Sequence, residues 1–135
     1  TQKRLFEARH FGRKSGKGFY DYSENANQPV PNKNEILGKV IFNRVICMMI
    51  NEAIDAFHNR LASKEDMEIA VEKGVNYPKG LLRWAEDIGL ENVLQTLEFM
   101  HHEYGEDRYR ASVLLKRMVR EGKKKKKKSF WHKAN

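Results

Sequence analysis

Residues 35–60 read EILGKVIFNRVICMMINEAIDAFHNR. Ile36, Val40, Asn43, Cys47, Ile50, Ile54 and Phe57 follow one another at steps of four and three, which puts them on one helical face. Leu37, Ile41, Val45, Met48 and Met49, beside that face, are apolar as well. A helix that is apolar on several sides is central and packed around by others. The stretch therefore predicts an all-α domain built on one long helix, with Asn34 as its N-cap and Glu35 in its first turn. The longest nearly apolar run, Val40 to Ile50, has 11 residues and contains Asn43 and Arg44. A membrane-spanning helix needs roughly 20, so no membrane segment is expected.

Shorter helices are predicted downstream. Ser63 caps the second, with Asp66 standing in for the Glu of a capping box. Met67, Ala70 and Val71 face inward and Gly74 is the C-cap. Asn76 to Gly80 forms a turn, Pro78 suits the start of a short helix through Ile88, and Gly89 closes it. A fourth helix covers about 90–104, with Val93, Leu94, Leu97, Met100 and Tyr104 on one face and Gly105 at its end. A last one, about 111–121, carries Leu114, Leu115, Met118 and Val119 and stops at Gly122. Residues 34–122 are thus expected to form a compact domain of about five helices. Upstream, Lys3 to Phe6 ends a helix, and Gly12, Gly16 and Gly18 favour a turn. The run Phe19-Tyr20-Asp21-Tyr22 favours an extended aromatic tail. Residues 23–33 have the composition of a linker.

The 135 residues, 40% hydrophobic and 33% charged, suffice for one core. That content excludes collagen-like and fully disordered chains. The chain is too short for a dinucleotide-binding domain together with a substrate domain. Its first residues, Thr-Gln-Lys-Arg, carry neither Met nor an apolar signal, and it is expected to be excised from something longer, or processed. The net charge of +8 is concentrated at the ends. Residues 123–135 hold seven Lys and no acid, residues 1–22 hold six basic and two acidic residues, and the middle is slightly acidic. A nucleic-acid-binding domain spreads positive charge along a folded face, so no specific nucleic-acid partner is expected. The Lys123–Lys128 run reads as a solvated tail, with salt-sensitive anion binding as the alternative. One cysteine, Cys47, excludes an intrachain disulfide and suggests a reduced, cytoplasmic setting.

Few residues carry chemistry. Gly12 to Gly18 imitates a phosphate loop, but three residues rather than four separate its first Gly from Gly16-Lys17. Gly18 also stands where a hydroxyl residue is needed, so a turn is the expected reading. No Gly-x-Gly-x-x-Gly fingerprint occurs. His101 and His102 are adjacent, point in different directions on a helix and make a poor metal pair. Cys47 reads as a small buried hydrophobe. Asn43 is the most informative residue, a polar amide inside an apolar stripe. Buried there, it must find partners or cost on the order of 1–3 kcal/mol. Either it bonds to another helix, or it meets a substrate or a partner domain.

The two ends echo each other. Lys3-Arg4-Leu5-Phe6, Gly12-Arg13-Lys14 and Lys17-Gly18-Phe19-Tyr20 recur in order as Lys116-Arg117-Met118-Val119, Gly122-Lys123-Lys124 and Lys128-Ser129-Phe130-Trp131. Residues 1–33 are therefore expected to be the tail of a preceding copy plus a linker, 34–122 a second copy, and 123–135 its Lys-rich tail.

Gly12 to Tyr22, Phe42-Asn43-Arg44, Asn51-Glu52-Ala53, Ala62 to Asp66, Gly74 to Gly80, Trp84 and Asp87 to Leu90 together resemble the C-terminal helical domain of 3-hydroxyacyl-CoA dehydrogenases. This is the helical fold shared with the 6-phosphogluconate dehydrogenase C-terminal domain, and the likeness is to the 3-hydroxybutyryl-CoA type and the second of two copies. The resemblance implies a parent enzyme that oxidises 3-hydroxyacyl-CoA to 3-ketoacyl-CoA in fatty-acid metabolism. There, a Rossmann domain binds NAD and carries a catalytic His–Glu pair, while the helical domain covers the acyl-CoA and dimerises. Asn43 matches the family's helical-domain asparagine near the substrate. The expected partners are an acyl-CoA, the Rossmann domain, the preceding helical copy and a second subunit of a homodimer. No NAD site is expected in this chain, and the isolated chain is expected to be inactive. Two other classes stay open: a non-catalytic assembly module, and an anion or nucleic-acid binder acting through the Lys tail.

Overall fold

A computed structural model of the chain describes residues 1–122. The Lys-rich tail and its aromatic pair lie outside the described residues. Six α-helices occur among them: α1 (Gln2–Glu7), α2 (Glu35–His58), α3 (Lys64–Ile69), α4 (Leu81–Ile88), α5 (Leu90–Tyr104) and α6 (Val113–Gly122). The chain divides after Asn34 into two compact units.

The second unit is the five-helix domain that the periodicity anticipates, with α2 at its centre. α2 packs against α4, α5 and α6, α5 against α6, and α3 against α4. Ile46, Cys47, Ile50, Ala53 and Ile54 of α2 enter the core. They meet Leu82 and Ala85 of α4, Val93, Leu97 and Met100 of α5, and Leu114, Leu115 and Met118 of α6. The predicted stripe is core only from Cys47 onward. Ile36 is 77% exposed and Val40 61% exposed, and Ile41, Phe42 and Val45 are exposed too. The reason is length: α2 has 24 residues, while α4 has eight and α6 ten. At 1.5 Å per residue, the surrounding helices are too short to cover it all.

Helix ends follow local chemistry. The Ser63 hydroxyl accepts the Asp66 amide proton at 3.1 Å, as a cap should. In turn it donates to the Asp66 carboxylate at 2.8 Å. Gly89, at φ 86°, ends α4 and starts α5, and Gly105, at φ 63°, ends α5. Gly74 is not a left-handed cap. α3 instead runs into a π-turn over Ala70–Gly74, and the left-handed residue is Asn76, at φ 56°. Ala70 accordingly lies exposed rather than inward, while Met67 and Val71 are half-buried. Tyr77 then packs edge-on against Trp84, and Phe42 meets Trp84 from α2, both with ring centroids 5.9 Å apart.

The first unit, residues 1–34, has no fully buried residue. Beyond α1, a 3-10 turn at Arg13–Ser15 is tied down by the Ser15 hydroxyl, which accepts from the Phe11 amide at 2.8 Å and donates to the Lys17 carbonyl at 2.9 Å. The expected extended aromatic segment is reduced to isolated bridges, Gly12 to Lys17 and Lys17 to Asp21. Repeated glycines bend the backbone too soon for a ladder to grow. Phe6 and Phe11 pack edge to face, and the Arg13 guanidinium lies over the Tyr22 ring. Ser23 donates to the Asp21 carboxylate from its backbone and from its hydroxyl, which holds that carboxyl below its ordinary value.

Candidate functional site

Where the cover on α2 gives out, α2 and α5 diverge around an open groove of about 420 Å3. Val40, Asn43 and Arg44 line it from α2, and Gln95, Thr96, Phe99, Met100 and Tyr104 from α5. The lining is mostly apolar, with a few convergent polar groups, the usual composition of a small-molecule site.

Asn43 sits at this lip and is exposed, not sunk in an apolar stripe as its spacing suggests. Its Nδ2 donates to Thr96 Oγ1 across the groove at 3.5 Å, and its Oδ1 accepts from the Cys47 thiol one turn along at 3.7 Å. The helix-to-helix bond that a buried amide would need is thus present, while the amide stays open to solvent. Cys47 is fully buried beneath it. Burial pushes the Cys47 thiol up, partly offset by a hydrogen bond from Thr96. Beside Asn43, the Arg44 guanidinium lies 4.6 Å from the Tyr104 ring centroid and 5.0 Å from that of Tyr109. It also donates to the Tyr109 hydroxyl. This cation–aromatic clamp fixes the far end of the groove on Tyr109, which is 1% exposed.

Two further polar clusters escaped the sequence reading. Asn51 is buried, accepts the Ser112 amide proton at 2.8 Å and donates to the Arg110 carbonyl at 3.2 Å. It thereby fixes the entry to α6. Its position one turn beyond Cys47, on the same face, was the available signal. Glu68 is buried and accepts from the Leu82 amide at 2.8 Å and from Arg83 Nε at 2.7 Å. Glu72 accepts from the Gly80 amide at 2.9 Å and from Arg83. Together the two carboxylates satisfy the first N–H groups of α4, where Gly80 offers no side chain.

His101 and His102 are both exposed in the last turn of α5. Among the described residues no group of three or more His, Cys, Asp or Glu could hold a metal ion, and no helix is long and apolar enough to cross a membrane. The Gly12–Gly18 segment closes a 3-10 turn, and no α-helix begins there to receive a pyrophosphate.

A family model described as "3-hydroxyacyl-CoA dehydrogenase, C-terminal domain" matches residues 40–132, which takes in the groove and both polar clusters. The chain is 45% identical over 73 residues to a 3-hydroxyadipyl-CoA dehydrogenase of Escherichia coli, covering 54% of this chain and 15% of that protein. It is 36% identical over 101 residues to a 3-hydroxybutyryl-CoA dehydrogenase of Clostridioides difficile, covering 75% of this chain and 36% of that protein. The crystal structure of the (S)-3-hydroxybutyryl-CoA dehydrogenase of Ralstonia eutropha superimposes with a TM-score of 0.57 at 38% identity, over 59% of this chain and 28% of that one. The chain thus spans well under half the length of each of these relatives. A central helix with its Asn-Arg pair beside an open groove, α4, α5 and α6 packed against it with α3 against α4, and a family match over residues 40–132 together make this chain a member of the 3-hydroxyacyl-CoA dehydrogenase C-terminal domain family.

Proposed function

We propose that the chain is the substrate-covering and assembly module of an NAD-dependent 3-hydroxyacyl-CoA dehydrogenase. The parent would oxidise 3-hydroxyacyl-CoA to 3-ketoacyl-CoA in cytoplasmic fatty-acid metabolism. The observation that carries this reading is the exposed Asn43 carboxamide at the lip of the α2–α5 groove, anchored from behind by Thr96 and Cys47. An amide held there can hydrogen-bond the 3-oxygen of an acyl thioester, while Val40 and Phe99 shield the acyl chain from water. On this reading proton and hydride transfer belong to a separate dinucleotide-binding domain. Residues 1–33 are read as the tail of a preceding helical copy, supported by the division of the chain after Asn34.

The test is an NMR titration of the 135-residue chain with acetoacetyl-CoA. Resonances of Asn43, Gln95 and Phe99 should move together, and unperturbed groove resonances would remove the substrate-covering role. The same protein should show no turnover of acetoacetyl-CoA with NADH. Measurable turnover would overturn the division of labour between domains.

The assembly role is favoured by a separate observation, the exposed apolar residues Ile36, Val40, Ile41, Phe42 and Val45 on one end of α2. Exposed apolar side chains of this number favour association, and a two-fold homodimer is the usual closed arrangement. Sedimentation equilibrium at micromolar concentration should give a mass above 15.9 kDa. A mass fixed at that value as concentration rises would exclude self-association.

A further inference from the structure

The groove-lip asparagine does not stand alone. Its Nδ2 donates to Thr96 Oγ1 and its Oδ1 accepts from the Cys47 thiol. Both ends of the carboxamide are therefore engaged. Thr96 comes from α5, whereas Asn43 and Cys47 come from successive turns of α2, so the Asn43–Thr96 bond also ties the two walls of the groove together.

We propose that Thr96 is a positioning residue: with Cys47 it fixes the carboxamide of Asn43 so that the second N–H of Nδ2 is the group left for an oxygen of a ligand in the groove. The inference rests on the reading that this groove faces the acyl thioester, and it adds how the amide is oriented there. An unconstrained amide presents its oxygen or its nitrogen with similar ease. Here the oxygen is engaged by a thiol in the core, and burial keeps that thiol protonated and therefore a donor. The free N–H suits a carbonyl or hydroxyl oxygen, the groups on the third carbon of a 3-ketoacyl or 3-hydroxyacyl thioester. A disordered amide would have to be fixed on each binding event, at a cost in side-chain freedom that these two bonds remove in advance.

The experiment uses the full 135-residue chain. The side-chain NH2 pair of Asn43 is followed in 1H–15N spectra of wild type, Thr96→Val, Thr96→Ser and Cys47→Ala. Thr96→Val should bring the pair toward free-amide shifts and weaken acetoacetyl-CoA binding by about threefold to tenfold, the loss of one neutral hydrogen bond. Thr96→Ser should restore both to within about twofold of wild type, which a purely packing role for Thr96 would not do. Cys47→Ala should move the same NH2 pair, and it decides the matter should Thr96→Val fail to fold. An NH2 pair unchanged in both Thr96→Val and Cys47→Ala overturns the proposal. If acetoacetyl-CoA leaves the wild-type groove unperturbed, the substrate reading fails, while the NH2 shifts still decide whether Thr96 holds Asn43.

Discussion

Gly80 offers a sharp test of how α4 is held. Its backbone is in an ordinary extended conformation, φ −70° and ψ 159°, so an alanine there suffers no backbone strain. The obstacle is space, because a Cβ on Gly80 would overlap the Glu68 carboxylate. That carboxylate is 7% exposed by residue and has nowhere to go without releasing the Leu82 amide and Arg83 Nε. A hydrogen bond to a charged group contributes about 1.5–3 kcal/mol, and because Arg83 is half exposed its ion pair with Glu68 adds at most about 1 kcal/mol more. With partial relaxation, Gly80→Ala should destabilise the domain by about 2–4 kcal/mol. In urea, with a slope near 1.5 kcal/mol/M, the unfolding midpoint followed by far-UV circular dichroism should fall by about 1.3–2.7 M. Gly74→Ala is the matched control, since a Cβ there meets nothing within 4 Å. The cause is checked by a double-mutant cycle: in a Glu68→Ala background, Gly80→Ala should lose most of its effect. A Gly80→Ala midpoint within 0.3 M of wild type, or full additivity with Glu68→Ala, would refute the clash.

Three further outcomes are expected. Asn51→Leu should cost about 2–3 kcal/mol, because it strands the Ser112 amide and the Arg110 carbonyl in the interior; a melting temperature unchanged in calorimetry would contradict this. Ser63→Ala removes the cap of α3 and should cost about 1 kcal/mol by urea titration, with Ser63→Thr, whose hydroxyl can both accept and donate, restoring it. The third concerns alkaline pH. The folded Cys47 thiol titrates above its unfolded value of about 8.5, so its contribution is whole below that pH and is lost as pH rises toward the folded value. Between pH 7 and 9.5 the urea midpoint of wild type should therefore fall more steeply than that of Cys47→Ala, and parallel curves would show that the thiol plays no part.

The order of the five helices and several of their ends were legible because they rest on local signals, namely the three-and-four spacing, Ser63, Gly89 and Gly105, whereas Gly74 is no left-handed cap and the helix expected from Pro78 begins only at Leu81. The half of α2 left bare was not, because burial depends on how far α4, α5 and α6 reach along it. For the same reason Asn43 could be picked out but its setting was misjudged. It stands in register with Cys47 and Ile50, yet one turn beyond the cover. Nothing local in the sequence sets Glu68, Glu72 and Arg83 apart, since their partners lie 8 to 15 residues away across a turn. The Thr96 contact spans 53 residues and leaves no mark in any local pattern. In residues 1–34 the aromatic run suggested extension, but the glycines around it decided the path.

The carboxylates that start α4 also bear on how the domain assembles in time. An eight-residue helix is too short to persist alone in water, and α4 begins at a glycine without a capping side chain. Its first N–H groups find acceptors only once α3 and the turn after it have delivered Glu68 and Glu72. α3 and α4 must then appear together, as one cooperative block, and open together when the native state fluctuates. The Leu82 amide, though near a helix start where protons usually exchange fast, should be as slow to exchange as one in the middle of α5.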